Sequence, residues 1–442
     1  MKSEGTAADV VIVGGGFSGT MLAAQLARRG LSSIIVEGRG RAGRGTAFST
    51  PEEVHLLNVP AGKMSAWPDW PDDFAEAVTD EGYAPGDFVP RRRFGAYLRA
   101  ILDEALSGRK VRLVEGEAVA AEPGESWTIR LDDGSSVTGQ ALVLAQGNQP
   151  PEPLRAARDL PTELFVNDPW SDKGRAAVRE VAASGGDVLI VGTGLTMVDV
   201  VLSLDAAGHQ GHIIALSRRG LTPRAHGPYD PLTVDREQVP HGSVGTLWRW
   251  LRKRAGEGSW RAAVDSLRPH SHALWRSLSE PEQRRFLRHA RPWWDVHRHR
   301  IAPEVAAVLK RLVGEGRLEI AAARIVSMRQ GNRELIAGIQ RRGTGEARER
   351  HFALGLNCTG PLGALQRTED GVLKSLFDRK IVRPDALGMG LEVDGRSRVA
   401  GASRAWAVGP LTKGAFWEIV AVPDIRGQAA DVANDIAEEL LR

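Results

Sequence analysis

The sequence predicts an α/β protein with two largely parallel sheets, each built around one repeated strand, glycine turn, helix and strand unit. Three observations lead to this prediction. The unit occupies residues 10–37 and occurs again over residues 187–220. A hairpin and a further buried strand follow each unit later in the chain. With 442 residues, the chain is also long enough for two or three domains with separate cores.

The first unit, VVIVGGGFSGTMLAAQLARRGLSSIIVE, carries a glycine turn and ends in an acid. Glycines at this spacing allow a tight turn and bring a pyrophosphate close to the positive N-terminus of the following helix. Glu37 follows Gly14 by 23 residues, where a carboxylate can accept hydrogen bonds from both hydroxyls of a ribose. We therefore predict contacts with an adenine dinucleotide at Gly14, Gly16, Phe17, Ser18, Gly19 and Glu37.

The second unit, DVLIVGTGLTMVDVVLSLDAAGHQGHIIALSRRG, has Met197 at the third glycine position and no acid at its end. A carboxylate would repel a 2′-phosphate, whereas a guanidinium pairs with it bidentately, so this unit is predicted to bind NADPH. The alternative is that the two arginines only solvate the strand end. The predicted contacts are Gly192, Gly194, Leu195, Thr196, Ser217, Arg218 and Arg219.

Two similar hairpins complete the predicted architecture. Residues 127–148 and 334–360 each read as a hairpin followed by a buried strand that ends in a glycine, Gly147 or Gly360. The predicted fold is two Rossmann-like dinucleotide-binding domains plus a helical insert, with a discontinuous FAD domain and an NADPH domain inserted into it. The expected divisions are 1–155 for the first part of the FAD domain, 156–235 for the NADPH domain, 236–317 for an insert that caps the substrate, and 318–442 for the return to both domains and a flavin-facing helix.

Five further blocks carry a family resemblance: GRGTAFST (43–50), HLLNVPAGKMSA (55–66), GTGLTMVDV (192–200), HRHR (297–300) and GPLTKGAFWEIVAVPDIRGQA (409–429). Together they resemble the bacterial FAD/NAD(P)-binding proteins related to N-hydroxylating flavin monooxygenases, over nearly the whole chain. The resemblance implies FAD contacts at Gly14, Gly16, Gly19, Glu37, Asn58 and Gly409, and further cofactor contacts are predicted at Thr46, Gly147 and Gly360.

Two departures from related patterns bear on the function. The ATG expected after the first linking hairpin reads Ala145-Gln146-Gly147. The FxGxxxHxxxW fingerprint of Baeyer–Villiger enzymes does not precede the second unit, which disfavours ketone oxygenation.

The last block also predicts a C-terminal helix on its own physical grounds. Pro423 suits the first turn of a helix, and Ile425, Val432, Ile436 and Leu440 fall on one apolar face. The positive start of this helix is expected to face the pyrimidine edge of the flavin and to stabilise the reduced anion by about 1 kcal/mol. The alternative is a plain packing helix.

Residues 241–300 differ in composition from the rest of the chain. They contain six tryptophans, six of the 11 histidines, and 13 Lys or Arg against five Asp or Glu. One interpretation is a solvated basic face over a tryptophan-rich core, and another is a cap for an anionic small molecule; binding of a nucleic-acid strand is the least favoured. Within WWDVHRHR, the predicted substrate residues are Trp294, Arg298 and His299, with Asp295 either fixing His299 or pairing with Arg298. No metal site is predicted, because the histidines lack cysteine or carboxylate partners at ligand spacing.

Four residues are candidates for catalytic roles: His55, Asn58, Lys63 and Trp417. His55 either relays a proton or bonds to the backbone, and the second is favoured. Lys63 and Trp417 either approach the flavin or only pack. His226 is interpreted as a turn residue.

The composition narrows the functional classes. Because 58 basic residues nearly balance 55 acidic ones, net charge gives no argument for a nucleic-acid partner. The single cysteine, Cys358, excludes an intramolecular disulfide and a CxxC redox pair, and its surroundings predict a buried structural thiol. With no signal segment and no apolar run of roughly 18 residues, we expect a cytoplasmic protein with no membrane partner.

The function expected from these observations is an NADPH-consuming flavin monooxygenase. It would oxygenate a small, anionic molecule at nitrogen or sulfur with O₂, through a C4a-hydroperoxyflavin. Because the cofactor performs this chemistry, no catalytic triad or carboxylate pair is required of the protein. The alternatives are an NADPH-dependent flavin reductase that passes electrons to a partner, and a flavin-binding sensor without turnover.

Overall fold

The structure, a computed structural model, describes residues 7–442, and within them two sheets each contain seven strands. The first sheet consists of β1 (Ala7–Val13), β2 (Ser33–Glu37), β3 (Val111–Glu115), β4 (Ala118–Glu122), β5 (Trp127–Leu131), β6 (Ser136–Leu144) and β14 (Ala405–Ala407). The second consists of β7 (Phe165–Val166), β8 (Val188–Val191), β9 (Ile213–Ser217), β10 (Leu318–Gln330), β11 (Leu335–Arg341), β12 (Ala347–Phe352) and β13 (Leu354–Asn357).

The helices alternate with these strands or form the insert. They are α1 (Phe17–Arg28), α2 (Gly45–Phe48), α3 (Asp73–Ala77), α4 (Arg91–Ser107), α5 (Asp172–Ser184), α6 (Leu195–Ala206), α7 (Val244–Glu257), α8 (Trp260–Ser266), α9 (Ser271–Ser277), α10 (Glu280–Arg285), α11 (Arg291–Arg298), α12 (Pro303–Gly314), α13 (Gly371–Asp378) and α14 (Val422–Leu440).

The first sheet has the order β3-β2-β1-β6-β5-β4, with β14 beside β6. Strand β1 pairs in parallel with β2 and β6, so that Val10 lies opposite Ser33 and Ala141. Val10 faces a core shared with α1, α4 and α14, whereas Val11 faces a core shared with α13. Burial of both faces explains the uninterrupted apolar run of this strand.

The second sheet has the order β12-β11-β10-β9-β8-β13-β7. Its β7, β8, β9 and β13 are parallel to their neighbours, and β10 continues into an antiparallel ribbon with β11 and β12. Helices α5, α6 and α12 pack on one face of this sheet. The chain leaves the first sheet after β6, builds the second sheet, and returns with β14 and α14. The predicted fold class, with its discontinuous first domain, is therefore confirmed.

The insert comprises α7 to α11 and a π-helix over Phe286–Ala290 between α10 and α11. Trp275 and Trp294 are buried in it, while Trp293 is 40% exposed. Most of its tryptophans therefore pack inside the insert, as the core interpretation predicted.

Residues 7–442 include no helix long and apolar enough to cross a membrane. The same residues bring together no group of three or more His, Cys, Asp or Glu side chains suited to a metal ion.

Candidate active site

The first glycine turn connects β1 to α1 with the geometry of an anion site. Gly16 is the N-cap of α1 and provides no side-chain cap, so the first amides of the helix are left for another acceptor. By contrast, serine or aspartate side chains cap α5, α7, α8 and α13. A Cβ on Gly19 would lie 2.0 Å from the carbonyl oxygen of Gly14, which explains why the helix and strand can pack so closely only with glycine.

Glu37 lies beside this turn at the end of β2. The buried carboxylate accepts hydrogen bonds from the amide of Gly15 at 2.8 Å and from that of Arg39 at 3.0 Å. Each carboxylate oxygen has a second acceptor position. The turn thus holds the acid in place while leaving capacity for ribose hydroxyls.

The second glycine turn repeats this arrangement between β8 and α6. Gly192 has a φ of +119°, and a Cβ there would lie 2.1 Å from the carbonyl oxygen of Cys358. Gly194 is the N-cap of α6, again without a side-chain cap. Met197, at the third glycine position, is fully buried and packs in the core beneath the sheet. The structure therefore accommodates a large side chain at this position.

The end of β9 presents two unpaired guanidinium groups. Ser217 Oγ accepts hydrogen bonds from Thr193 Oγ1 at 2.8 Å and from the Gly220 amide at 3.0 Å, which fixes the strand end to the glycine turn. Arg218 is exposed and Arg219 partly buried, and neither forms a hydrogen bond or ion pair within residues 7–442. Both charges are therefore available to a phosphate.

The remaining predicted cofactor residues lie after strands of the sheets, except Thr46, which lies in a short helix. Gly147 and Gly360 follow β6 and β13 with φ of +71° and +90°, and no atom lies within 4 Å of a Cβ built on either. Thr46 is exposed in α2. The amide of Gly409 donates to Gln428 Oε1 at 2.7 Å, a contact that the sequence did not predict.

Gln146, which replaces the expected threonine, donates to Asp370 Oδ1 at 3.2 Å. Its Oε1 is buried without a hydrogen-bond partner among the described residues. The backbone of Gln146 lies next to the first glycine turn, because a Cβ on Gly14 would be 3.0 Å from the Cα of Gln146.

His55 lies between the two domains. Its Nδ1 is 2.7 Å from Thr50 Oγ1, and its Nε2 is 3.1 Å from the carbonyl oxygen of Asp199 and 3.0 Å from Ser203 Oγ. The ring is buried and both of its nitrogens have hydrogen-bond partners. These contacts are the ones that a structural role requires. A catalytic role for His55 stays a prediction.

An ion pair accompanies His55 at the same interface. Arg91 of α4 donates to both carboxylate oxygens of Asp199 on α6, at 2.8 and 3.0 Å, and both side chains are nearly buried. Its Nε also donates to the carbonyl oxygen of Leu56. This pair, which sequence reasoning missed, fixes the helix of the second glycine turn to the first domain.

His226 is more than a turn residue. Its Nε2 is 2.9 Å from the carbonyl oxygen of Asn58, and its ring packs on Phe88 at 4.9 Å. Burial lowers the pKa of His226, so the ring is neutral near pH 7. The side-chain amide of Asn58 forms no hydrogen bond with residues 7–442 and stays available to a cofactor.

A polar cavity of about 410 Å³ lies at the start of α14. Its charged lining contains three cations and one carboxylate, with His272 beside them: Lys63, Arg268, Arg426 and Asp424. Arg268 lies 3.7 Å from Asp424, and Arg426 donates to the carbonyl oxygen of Ser65. Burial, followed by the neighbouring Arg268, lowers the pKa of Arg426. Of the predicted catalytic residues, Lys63 alone lines this basic cavity.

Two of the three predicted substrate residues of the insert bond to a single carboxylate. Trp294 Nε1 donates to Glu418 Oε1, and Arg298 Nε donates to Glu418 Oε2 at 3.1 Å. Neither Arg298 nor His299 lines the basic cavity. The carboxylate of Asp295 pairs with Arg291 at 3.2 Å, one helical turn away, whereas Arg298 pairs with Glu418.

Trp417 joins the same contact between the insert and the C-terminal segment. Its ring stacks on Trp275 at 4.8 Å and meets the edge of Phe286 at 5.2 Å. Trp275 Nε1 in turn donates to the carbonyl oxygen of Gly414 at 2.8 Å. The insert is thus bonded to residues 414–418, which lie between Gly409 and α14.

The C-terminal helix was correctly predicted. Pro423 lies in the first turn of α14, and Ile425, Val432 and Ile436 are buried against the first domain. The helix starts without a side-chain cap, so its positive end is open to the basic cavity.

Two dinucleotide turns, an acid after the first and free arginines after the second define the fold of the two-dinucleotide-binding flavoproteins. Residues 11–149 match the family described as FAD-NAD(P)-binding. No curated protein matches the chain.

Solved structures share this fold along almost the whole chain. Ornithine hydroxylase from Pseudomonas aeruginosa, in its reduced form, is 17% identical with a TM-score of 0.69, covering 99% of this chain and 100% of that one. Ornithine N-hydroxylase from Kutzneria sp. 744, solved with reduced FAD, NADP⁺ and L-ornithine, is 16% identical with a TM-score of 0.68, covering 98% and 99%. Thioredoxin reductase from T. acidophilum is 12% identical with a TM-score of 0.55, covering 99% and 100%. The resemblance drawn from the sequence is thus confirmed for the fold.

Proposed function

We propose that the protein is a FAD-dependent monooxygenase that consumes NADPH and oxygenates a small molecule at nitrogen or sulfur. The observation that carries the proposal is the bonding of the insert to residues 414–418 through Trp275, Trp294 and Arg298. These contacts cover the segment between α14 and Gly409, for which the resemblance implies a contact with FAD. A monooxygenase must keep water from the reacting centre, and a bonded helical cap does so.

The described residues fit both cofactors. FAD would be held by the first glycine turn, Glu37, Asn58 and Gly409, and NADPH by the second glycine turn, Arg218 and Arg219. When bound, FAD accepts two electrons from NADPH and supplies them to O₂. The protein contributes the orientation of both nucleotides, the exclusion of water and the charge around the site.

The basic cavity favours an anionic group near the flavin. Lys63, Arg268 and Arg426 outnumber Asp424 there, and the positive end of α14 adds to their potential. This charge stabilises a reduced flavin, an anionic substrate, or both. It supports the small, anionic substrate expected from the sequence, and we propose this cavity, rather than Arg298 and His299, as its binding site.

The alternative function is an NADPH-dependent flavin reductase, which the similarity to a thioredoxin reductase favours. The chain lacks the pair of thiols that disulfide reduction requires, because Cys358 is the only cysteine and is buried. Burial, followed by the charge of Asp199, raises the pKa of the Cys358 thiol. A reductase built on this chain would therefore have to pass its electrons to a separate partner.

The decisive experiment follows NADPH, O₂ and product mass together on a panel of small amines and thioethers, each with and without a carboxylate. We expect at least one carboxylate-bearing compound to gain one oxygen atom while NADPH and O₂ disappear in equal amounts. If every compound leaves all consumed O₂ as hydrogen peroxide while ferricyanide is reduced rapidly, the protein is a reductase.

Removal of either unpaired arginine should weaken the binding of NADPH and leave the binding of NADH unchanged. Loss of charge-assisted hydrogen bonds to the 2′-phosphate costs roughly 1.5–3 kcal/mol. We expect Arg218→Ala and Arg219→Ala each to raise the KM for NADPH by about 10- to 150-fold. Arg179→Ala, which changes an exposed arginine on α5 of the same domain, is the matched control. Equal weakening of both nucleotides would show that these arginines do not read the 2′-phosphate.

A further inference from the structure

The cationic side chains of the basic cavity are largely without partners. Those of Lys63 and Arg268 form no hydrogen bond within residues 7–442. Arg426 uses only Nη1, which donates to the carbonyl oxygen of Ser65 at 2.7 Å. The unused guanidinium nitrogens of both arginines are not buried and retain open surface. A ligand that enters this cavity therefore meets hydrogen-bond donors that the described part of the chain has not already engaged.

The positive charge of this cavity exceeds the negative charge by two. Among the described residues, Asp424 is the only carboxylate of the lining, against the three cations. Its Oδ2 lies 3.7 Å from a nitrogen of Arg268, beyond hydrogen-bond distance. Burial, followed by the charge of Arg268, lowers the pKa of Arg426, so the two guanidinium groups repel each other. Two negative charges brought by a ligand would remove this repulsion.

The size of the cavity and the origin of its cations decide which dianion fits. The volume of about 410 Å³ falls within the range of small-molecule sites, roughly 300–1,000 Å³. Arg268 reaches the cavity from the insert, whereas Arg426 reaches it from the first turns of α14. A guanidinium pairs with one carboxylate through two parallel hydrogen bonds. Two carboxylates on one small molecule therefore match these two arginines better than a single compact phosphate.

We propose that the basic cavity binds a dicarboxylate, with one carboxylate at Arg268 and the other at Arg426. The inference rests on the proposed function for the role of this molecule as substrate, which would carry two carboxylates besides its reacting nitrogen or sulfur. A substrate with a single carboxylate would leave one positive charge of the cavity in excess. Binding requires neither NADPH nor O₂, so the site can be tested separately from turnover.

Succinate and succinamate form a matched pair of probes, because they have the same size and differ by one negative charge. Binding of each is measured by calorimetry on the FAD-loaded full chain at pH 8.5 and low ionic strength, where histidine side chains are generally neutral. We expect succinate to bind at least about tenfold more tightly than succinamate, the value of one charge-assisted hydrogen-bonded pair. Inorganic phosphate should bind more weakly than succinate.

Three variants change the charge of the cavity or leave it unchanged. Arg268→Gln removes one cation and should weaken succinate about tenfold or more and succinamate less, so that the preference for succinate shrinks. Asp424→Asn removes the carboxylate and should tighten the binding of both probes, that of succinate more. Arg276→Gln, which changes an exposed arginine of α9 outside the cavity lining, should alter neither affinity.

The proposal is overturned if succinate binds no more tightly than succinamate, if phosphate binds more tightly than succinate, or if Arg268→Gln acts like Arg276→Gln. Amines and thioethers with one or two carboxylates then separate the site from the reaction. Binding of the dicarboxylates without oxygen transfer would retain the site and refute the monooxygenase proposal. Oxygenation with no preference for a second carboxylate would refute the site and retain the monooxygenase proposal.

Discussion

Replacement of Asp199 with alanine is expected to lower the free energy of unfolding by about 3–5 kcal/mol. The change leaves the guanidinium of Arg91 without its carboxylate at a site where its side chain is only 11% exposed, and unpaired buried charges carry this cost. The α6 helix, which begins at the second glycine turn, would also lose its anchor on the first domain. Urea denaturation followed by circular dichroism measures the loss of stability, and stopped-flow reduction of FAD by NADPH measures the loss of alignment.

A surface ion pair provides the matched control. Arg99 and Asp103 lie one turn apart on α4 with about half of each side chain exposed, so Asp103→Ala should cost at most about 1 kcal/mol. The double variant Arg91→Met with Asp199→Leu should recover much of the stability, because an apolar pair removes both buried charges. If Asp199→Ala costs no more than Asp103→Ala, the pair does not hold the domains together.

Local pattern was sufficient for the dinucleotide turns and for α14. Gly19 and Gly192 are required by contacts within a few residues or between adjacent strands, and such contacts recur wherever this unit is built. The apolar face of α14 follows from helical spacing alone. Fold class could therefore be predicted from short segments without knowledge of how the domains meet.

The contacts between domains could not be predicted in the same way. Arg91 and Asp199 are 108 residues apart, and Trp294 and Glu418 are 124 residues apart. Nothing local specifies such partners, because they depend on how the insert and the two sheets pack. The sequence did carry one signal, since Asp199 and Glu418 each stand alone in an apolar run, MVDVV and FWEIV. A charge at such a position predicts a buried partner without naming it.

The surroundings of the predicted substrate residues could not be foreseen for a related reason. Histidine and arginine in WWDVHRHR suggested a polar wall, but Glu418 occupies Arg298 and turns that surface into a contact inside the protein. The cations that line the basic cavity lie on segments that are distant in sequence, at Lys63, Arg268 and Arg426. A cavity built from three separate segments has no signature in any one of them.

Glu418 is the residue through which the proposed oxygen chemistry can be tested most sharply. Its backbone has a φ of +69°, a conformation that costs energy for any residue except glycine, and its side chain is only 4% exposed. The bonds to Trp294 and Arg298 offset both costs. A residue held in this way fixes the insert to residues 414–418, the segment beside which we propose that the flavin binds.

Glu418→Leu is therefore expected to destabilise the protein by about 3–5 kcal/mol and to uncouple NADPH oxidation from oxygen transfer. Leucine keeps the bulk but leaves the indole N–H and the guanidinium unpaired, so the insert separates more readily and water reaches the site. Hydrogen peroxide released per NADPH oxidised should rise, while the KM for NADPH should not change, because Arg218 and Arg219 lie in the other domain. Glu418→Gln, which retains an acceptor for Trp294, should have a stability and a peroxide yield between those of Glu418→Leu and the natural protein.

The control variant is Glu280→Gln, which breaks an exposed ion pair with Arg284 on the outside of the same insert and should leave coupling unchanged. If Glu418 were only structural, its replacement would lower the temperature of unfolding. The peroxide yield would then stay unchanged at an assay temperature low enough to keep the variant folded. Equal peroxide yields for Glu418→Leu, Glu418→Gln and the natural protein would mean that the insert does not shield the reaction. The reductase alternative, which needs an open flavin edge, predicts that result, because its electrons leave to a partner whether or not the insert is fixed.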